Sequence, residues 1–467
     1  MLQMVVQTVE SEGLAHLSYI LADRRAGVCA VIDPRRDIDT YLNVTAAQEL
    51  RITHVLETHI HADFVSGAKE LAEVTGAQLC TGPGDYAFPH TPLRDGDEIE
   101  IGTIHLDAIP TPGHTPEHIC LLVSVGQPRP SPVAVFTGDT LFAGEVGRPD
   151  LLGPDAAAPL AHQLFQSLHG RLMALDDTII VYPSHGAGSP CGANIGDATV
   201  TTIGYERRAN PRLRTRNEAR FVQEILALQT PFPAYYPRMK RVNTMGPEPL
   251  GGIPFARPLP PDEFQTTAAD ADALVVDVRQ PEAFAGAHIP GALNIPLQNG
   301  FALWAGWLIG PGQKLLLVPS NPQDIDVAQR RLLRVGLCAA AYLQGGMGRW
   351  LDAGKPFETT RQMSSAELRD LLASSPDGLQ LLDVRTSEEW ADGHLPSAMH
   401  AFLPSLPQFC AQLDTDKPVA VYCDSGFRAS MGASIMQRLG FRQVASLAGS
   451  VRAWRAAGLP LERDAES

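Results

Sequence analysis

Short apolar runs separated by polar turns fill the first half of the chain. Runs at 16–21, 27–33, 53–58, 78–80, 103–109, 119–125, 133–137 and 178–182 predict strands. Apolar residues recurring every three to four positions at 38–50, 66–75, 158–174 and 217–228 predict helices. Strands and helices mixed in this way predict a layered α/β domain. The texture changes between Thr230 and Pro261, where nine of 32 residues are proline. Such a stretch is expected to be a linker or extended strap rather than central helix or sheet.

The remainder repeats internally. Val275–Leu297 (VVDVRQPEAFAGAHIPGALNIPL) matches Leu381–Leu403 (LLDVRTSEEWADGHLPSAMHAFL) at an offset of 106. Later, Leu343 with Trp350 and Pro356 matches Leu447 with Trp454 and Pro460. Two matched segments in the same order indicate a tandem duplication of one α/β domain of roughly 100 residues. The organisation expected is therefore a domain at 1–245, a linker at 246–261 and two copies at 262–358 and 364–467.

Composition narrows the classes. A length of 467 suggests about three domains. With 44% hydrophobic and 19% charged residues the chain is neither disordered nor fibrous. No run approaches the ~18 apolar residues of a membrane span, and the N-terminus lacks a basic region. Seven cysteines, odd in number and unpatterned, argue against a disulfide framework and for a reducing cytoplasm. The net charge of −15 argues against a nucleic-acid-binding face. Against it runs a cluster of arginines at 207, 208, 212, 214, 216 and 220. It reads either as a solvated face paired with Glu206, Glu218 and Glu224, or as a landing site, Arg212 and Arg214 foremost, for an anionic thiol carrier.

Metal-ligand chemistry gathers in the first block. Thr58-His59-Ile60-His61-Ala62-Asp63 follows an apolar strand; His114, Asp139 and His185 follow others, beside Gly113, Gly138 and Gly186. Side chains at strand ends converge where a sheet meets solvent. One histidine alone is more often core or surface, but the ordered set His-x-His-x-Asp, His, Asp, His carries weight. It resembles the metallo-β-lactamase superfamily, whose fold is an αββα sandwich. THIHADFVSG, TPGHTPEH, TGDTLFAGEVGRPDL and YPSHGAGSPCG resemble its persulfide dioxygenase branch. Two-metal hydrolases of the superfamily carry a further histidine where this chain has Phe64, so a mononuclear site is expected.

The resemblance implies one Fe(II) per chain on His59, His114 and Asp139, a two-His, one-carboxylate set with positions left for substrate and O2. It implies a supporting role for His61, Asp63 and His185. Arg148 matches a substrate-side arginine, the plainer reading being an ion pair with Asp150. Cys191 matches a cysteine near the site in some fusion relatives, the plainer reading being a small buried residue.

The last copy carries a second chemistry. The apolar strand 419–423 runs into Cys423-Asp424-Ser425-Gly426-Phe427-Arg428 and then a helical pattern. A thiol at a strand–loop–helix junction faces backbone N–H groups and the positive helix end, which stabilise a thiolate; Arg428 adds a cation. The loop and the DVR…GH(I/L)P segments of both repeats resemble the rhodanese superfamily, with mainly parallel sheets. A six-residue Cys-to-Arg loop is the size that superfamily uses for sulfur rather than phosphate. In the first copy Pro319 and Asp324 stand where Cys423 and Arg428 would be, so it is expected to be structural or docking; Cys338 is expected in its core.

Together these features imply oxidation of a low-molecular-weight persulfide, of glutathione, coenzyme A or a similar thiol, by O2 to sulfite. Cys423 would then transfer sulfane sulfur to or from thiosulfate. A glyoxalase-II-type thioester hydrolase and a sulfide-responsive scaffold are the alternatives. A homo-oligomer without nucleic-acid or membrane partners is expected.

Overall fold

The computed structural model describes residues 4–126, 130–228, 231–375 and 378–463. Thr230 at the head of the proline-rich stretch, and the last four residues of 364–467, lie outside them. The chain divides into two compact units, one of residues 1–253 with Leu332–Leu337, the other of 254–331 with 338–467.

The first unit is built on two six-stranded sheets. One runs in the order Met4–Ser11, His16–Asp23, Val28–Ile32, Arg51–Glu57, Gln78–Thr81, Thr91–Pro92. The other runs Thr201–Thr202, Ile180–Pro183, Ser131–Gly138, Ile119–Val125, Ile104–Pro110, Glu98–Ile101. Alternation of apolar residues puts Tyr19, Leu21 and Leu56 of one sheet against Leu106, Leu121 and Phe136 of the other. Each sheet's second face takes helices: Tyr41 and Leu71 pack on the first, Leu164 and Phe221 on the second. The result is an αββα sandwich.

The proline-rich stretch departs from expectation. A ten-residue helix, Tyr236–Met245, forms inside it, with Tyr236, Met239 and Asn243 buried. Its one internal proline, Pro237, sits in the first turn, where the missing N–H has no intrahelical partner to lose. The strand Arg257–Leu259 also forms there and lies at a sheet edge, where Pro258 deprives no neighbour of a bond.

The second unit holds two five-stranded sheets of the same topology. The first is ordered Arg257–Leu259, Ala339–Leu343, Lys314–Val318, Ala273–Asp277, Leu293–Asn294. The second is ordered Arg361–Met363, Val444–Leu447, Val419–Tyr422, Gln380–Asp383, Met399–His400. Every pairing in both is parallel. The repeated DVR segments are structural: Arg279 Nη2 bonds Asp277 at 2.6 Å and the Ala287 carbonyl, and Arg385 does the same with Asp383 and Gly393. Trp350 and Trp454 each donate their indole N–H, at 2.8 Å, to Pro356 and Pro460. Cys338 is exposed rather than in the core, because it falls in the turn leading into Ala339–Leu343.

Candidate functional site

The strand Arg51–Glu57 delivers His59, His61 and Asp63, Ile104–Pro110 leads to His114, Ser131–Gly138 to Asp139 and Ile180–Pro183 to His185. At Gly138 the backbone turns at φ +51, and a Cβ there would stand 2.4 Å from His118 Nε2. Gly186 shows neither a positive φ nor a close neighbour, so its turn does not require glycine.

His114 Nε2 stands 3.3 Å and His59 Nε2 3.8 Å from Asp139 Oδ2. Their other nitrogens are engaged. His114 Nδ1 donates to the Arg148 carbonyl at 2.9 Å. His59 Nδ1 donates at 2.9 Å to Thr58 Oγ1, whose hydroxyl donates to Asp33 Oδ2. Both rings therefore carry their proton on Nδ1 and offer an Nε2 lone pair. Burial pushes both pKa values down and keeps the rings neutral, with neighbouring histidines adding to the effect at His59.

Asp139 Oδ2 is buried without a hydrogen-bond partner. A carboxylate oxygen facing two lone pairs is repulsive unless a cation lies among them. Ligands sharing an ion at about 2.0–2.2 Å lie roughly 3–3.5 Å apart, so this donor set fits one metal ion.

His185 bridges two carboxylates, Nδ1 to Asp139 Oδ1 at 2.7 Å and Nε2 to Asp63 Oδ2 at 2.8 Å. Burial opposes its charge, but Asp139 and Asp63 raise its pKa to about 10, and it donates from both nitrogens. His61 turns elsewhere: Nε2 is 3.2 Å from Asp33 Oδ1, which raises its pKa against burial. Asp33 also accepts from Thr58 N at 2.8 Å and from Ser184 Oγ at 2.6 Å.

The sequence reading missed Asp33 and His118, although Asp33 ends an apolar strand as the ligands do. His118 Nε2 accepts the Asp139 N–H at 3.0 Å, and its ring stacks on His59 with centroids 5.0 Å apart. Burial, with His114, lowers its pKa to about 3, so it acts as a neutral acceptor.

Phe64 is fully buried, its ring 4.0 Å from His16 and 4.4 Å from His61 between centroids. Cys191 is buried too, its sulfur within 4.8 Å of ligand atoms of Asp63 and His185, and burial pushes its thiol pKa up.

Arg148 spends its guanidinium on Asp150, with two bonds of 2.7 Å, on Pro190 O, and on the face of Phe232. Its carbonyl is what orients His114. Arg212 is forked onto buried Glu145, while Arg214 is exposed. Arg207 and Arg208 pair with Asp177, and Arg220 with Glu224. The arginine cluster is thus largely neutralised within its own surface.

In the last copy Cys423 is buried, and the N–H of Gly426 donates to its sulfur at 3.1 Å. Gly426 sits at φ +110 and caps the helix Phe427–Arg438, so the helix's positive end faces the thiol. Arg428 turns its guanidinium to Glu389, with two bonds of 2.6 Å, and acts on Cys423 only through its charge. Asp424 pairs with Arg452.

Ser450, missed by the sequence reading, accepts the Cys423 N–H at 3.1 Å and lies 3.8 Å from the sulfur. It is buried at φ +49, where the first copy has Gly346 at φ +60. A cavity of about 350 Å³ opens beside the loop, lined by Ser425, Phe427 and Ser446 of the second copy and Gln280, Glu282 and Gln298 of the first. In the first copy's own loop, Asp324 Oδ2 accepts the N–H groups of Ser320 at 3.1 Å and Asn321 at 2.8 Å. A carboxylate thus occupies the backbone donors there.

Comparison with known proteins agrees with this architecture. The profile of the Metallo-beta-lactamase superfamily matches residues 12–185, and that of the Rhodanese-like domain matches 260–353 and 364–457. A metallo-beta-lactamase crystal structure from Staphylococcus aureus subsp. aureus COL is 32% identical with a TM-score of 0.67, covering 73% of this chain and 99% of that one. Persulfide dioxygenase ETHE1, mitochondrial, of Bos taurus is 28% identical over 222 residues, 46% of this chain and 78% of that protein. A hydroxyacylglutathione hydrolase of Pseudomonas putida (strain GB-1) is 30% identical over 223 residues, 42% of this chain and 81% of that protein. No helix among the described residues is long and apolar enough to cross a membrane. With an αββα sandwich followed by two parallel-sheet domains, the chain belongs to the metallo-beta-lactamase superfamily and carries two rhodanese-like domains behind that domain.

Proposed function

We propose that the first unit oxidises a low-molecular-weight persulfide with O2 to sulfite at a single iron, and that Cys423 moves sulfane sulfur to or from thiosulfate. The observation that carries the first half is Phe64, a buried ring where two-metal hydrolases place a histidine. It leaves His59, His114 and Asp139 as a two-His, one-carboxylate set. Fe(II) held there would supply the O2 chemistry. Thr58 and the Arg148 carbonyl orient the two imidazoles, while His185 holds Asp139 through its other oxygen. The overall change is RSSH + O2 + H2O → RSH + SO3²⁻ + 2H⁺.

At Cys423 the thiolate takes the outer sulfur of a persulfide, releasing thiol, and passes it to sulfite as thiosulfate. The Gly426 N–H and the helix end stabilise the anionic Cys423 persulfide. Similarity to a protein named persulfide dioxygenase supports this reading, and the hydrolase relative suggests glutathione as the carrier.

That relative also favours a second reading, thioester hydrolysis, as does the grouping of Asp63, His185 and Cys191, which could hold another ion. Metal analysis combined with O2 uptake on glutathione persulfide separates the two. Iron with O2 uptake and sulfite is expected; zinc with thioesterase activity and no O2 uptake would overturn the proposal. Cys423→Ser is expected to keep sulfite formation and to lose enzymatic thiosulfate, once the uncatalysed reaction of sulfite with persulfide is subtracted.

A further inference from the structure

The helix Tyr236–Met245 belongs to none of the metal motifs, yet it is tied to the loop that carries them. Asn243 donates to the carbonyls of His61 at 2.8 Å and Phe64 at 2.7 Å, and its side-chain oxygen accepts from Ser66 N. Tyr235, just ahead of the helix, donates to the Asp63 carbonyl at 2.9 Å. These bonds fix the helix's register against the site.

Tyr236 and Lys240 are four residues apart and so share one helix face. Tyr236 stacks on Phe232, whose ring faces the Arg148 guanidinium at 5.1 Å. The Tyr236 hydroxyl is electrostatically coupled to the Cys191 thiol, and Lys240 to His114; burial works against the Lys240 charge and Glu117 partly offsets that. The helix that carries both side chains is bonded to the carbonyls of His61 and Phe64, and Tyr235 ahead of it to that of Asp63, so the pair sits on an element fixed to the metal-motif loop.

Tyr236 Oη and Lys240 Nζ are shielded from solvent and have no hydrogen-bond partner in the protein, and Tyr236 as a residue is only 2% exposed. A buried hydroxyl left unpaired is costly, and a buried ammonium more so. Two such donors, one of them cationic, on successive turns and beside a metal-ligand cluster, form a receptor for an anion.

We infer that Tyr236 Oη and Lys240 Nζ bind the sulfur-bearing anion of the reaction, the terminal sulfur of the persulfide on entry and sulfite on exit. The inference rests on the persulfide-oxidising reading of the first unit. It assigns the anion's charge to this helix rather than to the arginine cluster at 207–220, whose members are mostly paired with carboxylates. No covalent step is involved; the two residues hold charge and orient it.

The test is calorimetric titration of sulfite into the iron-loaded full chain under anaerobic, thiol-reduced conditions, which needs no turnover. Lys240→Met keeps the aliphatic stem and removes the charge. One sulfite site is expected to weaken at least about tenfold, the usual worth of a charge-assisted hydrogen bond. KM for glutathione persulfide is expected to rise by a similar factor, with iron content retained. Lys240→Arg should restore most of the sulfite affinity.

Unchanged sulfite binding in iron-replete Lys240→Met would overturn the inference. A raised KM with unchanged sulfite binding would also overturn it, since Lys240 would then hold a carboxylate of the carrier. If Lys240→Met loses its iron, Tyr236→Phe decides: weaker sulfite binding supports the subsite and unchanged binding refutes it. Absence of O2 uptake in the wild type would instead sink the dioxygenase reading, and the sulfite titration would still report on the subsite by itself.

Discussion

Ser450 offers the sharpest test of how the Cys423 loop is held. It is a buried non-glycine residue at φ +49, and its hydroxyl accepts the Cys423 N–H at 3.1 Å. An L-residue in the left-handed region costs roughly 1–2 kcal/mol, strain that persists only where something over-determines it. Ser450→Ala keeps the strain and strands the buried Cys423 N–H, so it should destabilise by about 1–2 kcal/mol. Ser450→Gly loses the same bond but relieves the strain. After the chain entropy that glycine costs, it should be about 0.5–1 kcal/mol more stable than the alanine variant.

All five tryptophans, at 304, 307, 350, 390 and 454, lie in the second unit, so tryptophan fluorescence during urea unfolding reports on it alone. A difference of 1 kcal/mol corresponds to about 2–4 °C in Tm for a unit of this size. Both variants should transfer sulfur from thiosulfate to cyanide about tenfold more slowly, because the backbone of the nucleophile is no longer anchored. An alanine variant as stable as the glycine variant would refute the strain argument. Wild-type transfer in both would refute the positioning role.

Glu389→Gln should lower the stability of the second unit at pH 7, because it breaks the fork onto Arg428. Burial raises the Glu389 pKa, but the Arg428 bonds outweigh it and hold it below its ordinary 4.5. That stabilisation is present above pH 4.5 and lost as pH falls through the lower folded-state value. The gap between wild type and variant should narrow as pH falls below 4.5, and a gap that stays constant on acidification would contradict the pairing. Thr58→Val removes the acceptor that fixes His59, so the site's metal affinity measured against a competing chelator should fall about 10–100-fold; an unchanged affinity would rule that role out. Pro319→Cys in a Cys423→Ser background should take up no sulfur by mass spectrometry, because the Asp324 carboxylate already occupies the loop N–H groups. A persulfide at 319 would show that the loop is still open.

The elements legible in the sequence were those with strong local patterning. The strand Ile119–Val125 follows its apolar run residue for residue, and the repeat at offset 106 reappears as two sheets of one topology. The edge strand Met4–Ser11 escaped because most of its positions are only half-buried and its alternation is weak. The helix Tyr236–Met245 escaped because flanking prolines masked a proline-free run after its first turn.

At the site, the strand-end motifs made the His and Asp candidates visible and the family resemblance singled out His59, His114 and Asp139 among them, whereas Asp33 and His118 act through bonds to residues far along the chain. Such partners leave no periodic trace. The arginine cluster shows the opposite limit: its charge and the nearby partner Glu224 of Arg220 were visible in the sequence, but Asp177 and Glu145, distant along the chain, were not.

The Asp324 carboxylate in the first copy's loop bears on competition for product. On the proposed function, two open anion-holding loops in one unit would divide released sulfite or thiosulfate between a productive outlet and a dead end. With its backbone donors satisfied internally, the first copy is no sink. On that proposal Cys423 serves as the outlet of the pair, and Gln280, Glu282 and Gln298 line the cavity beside it.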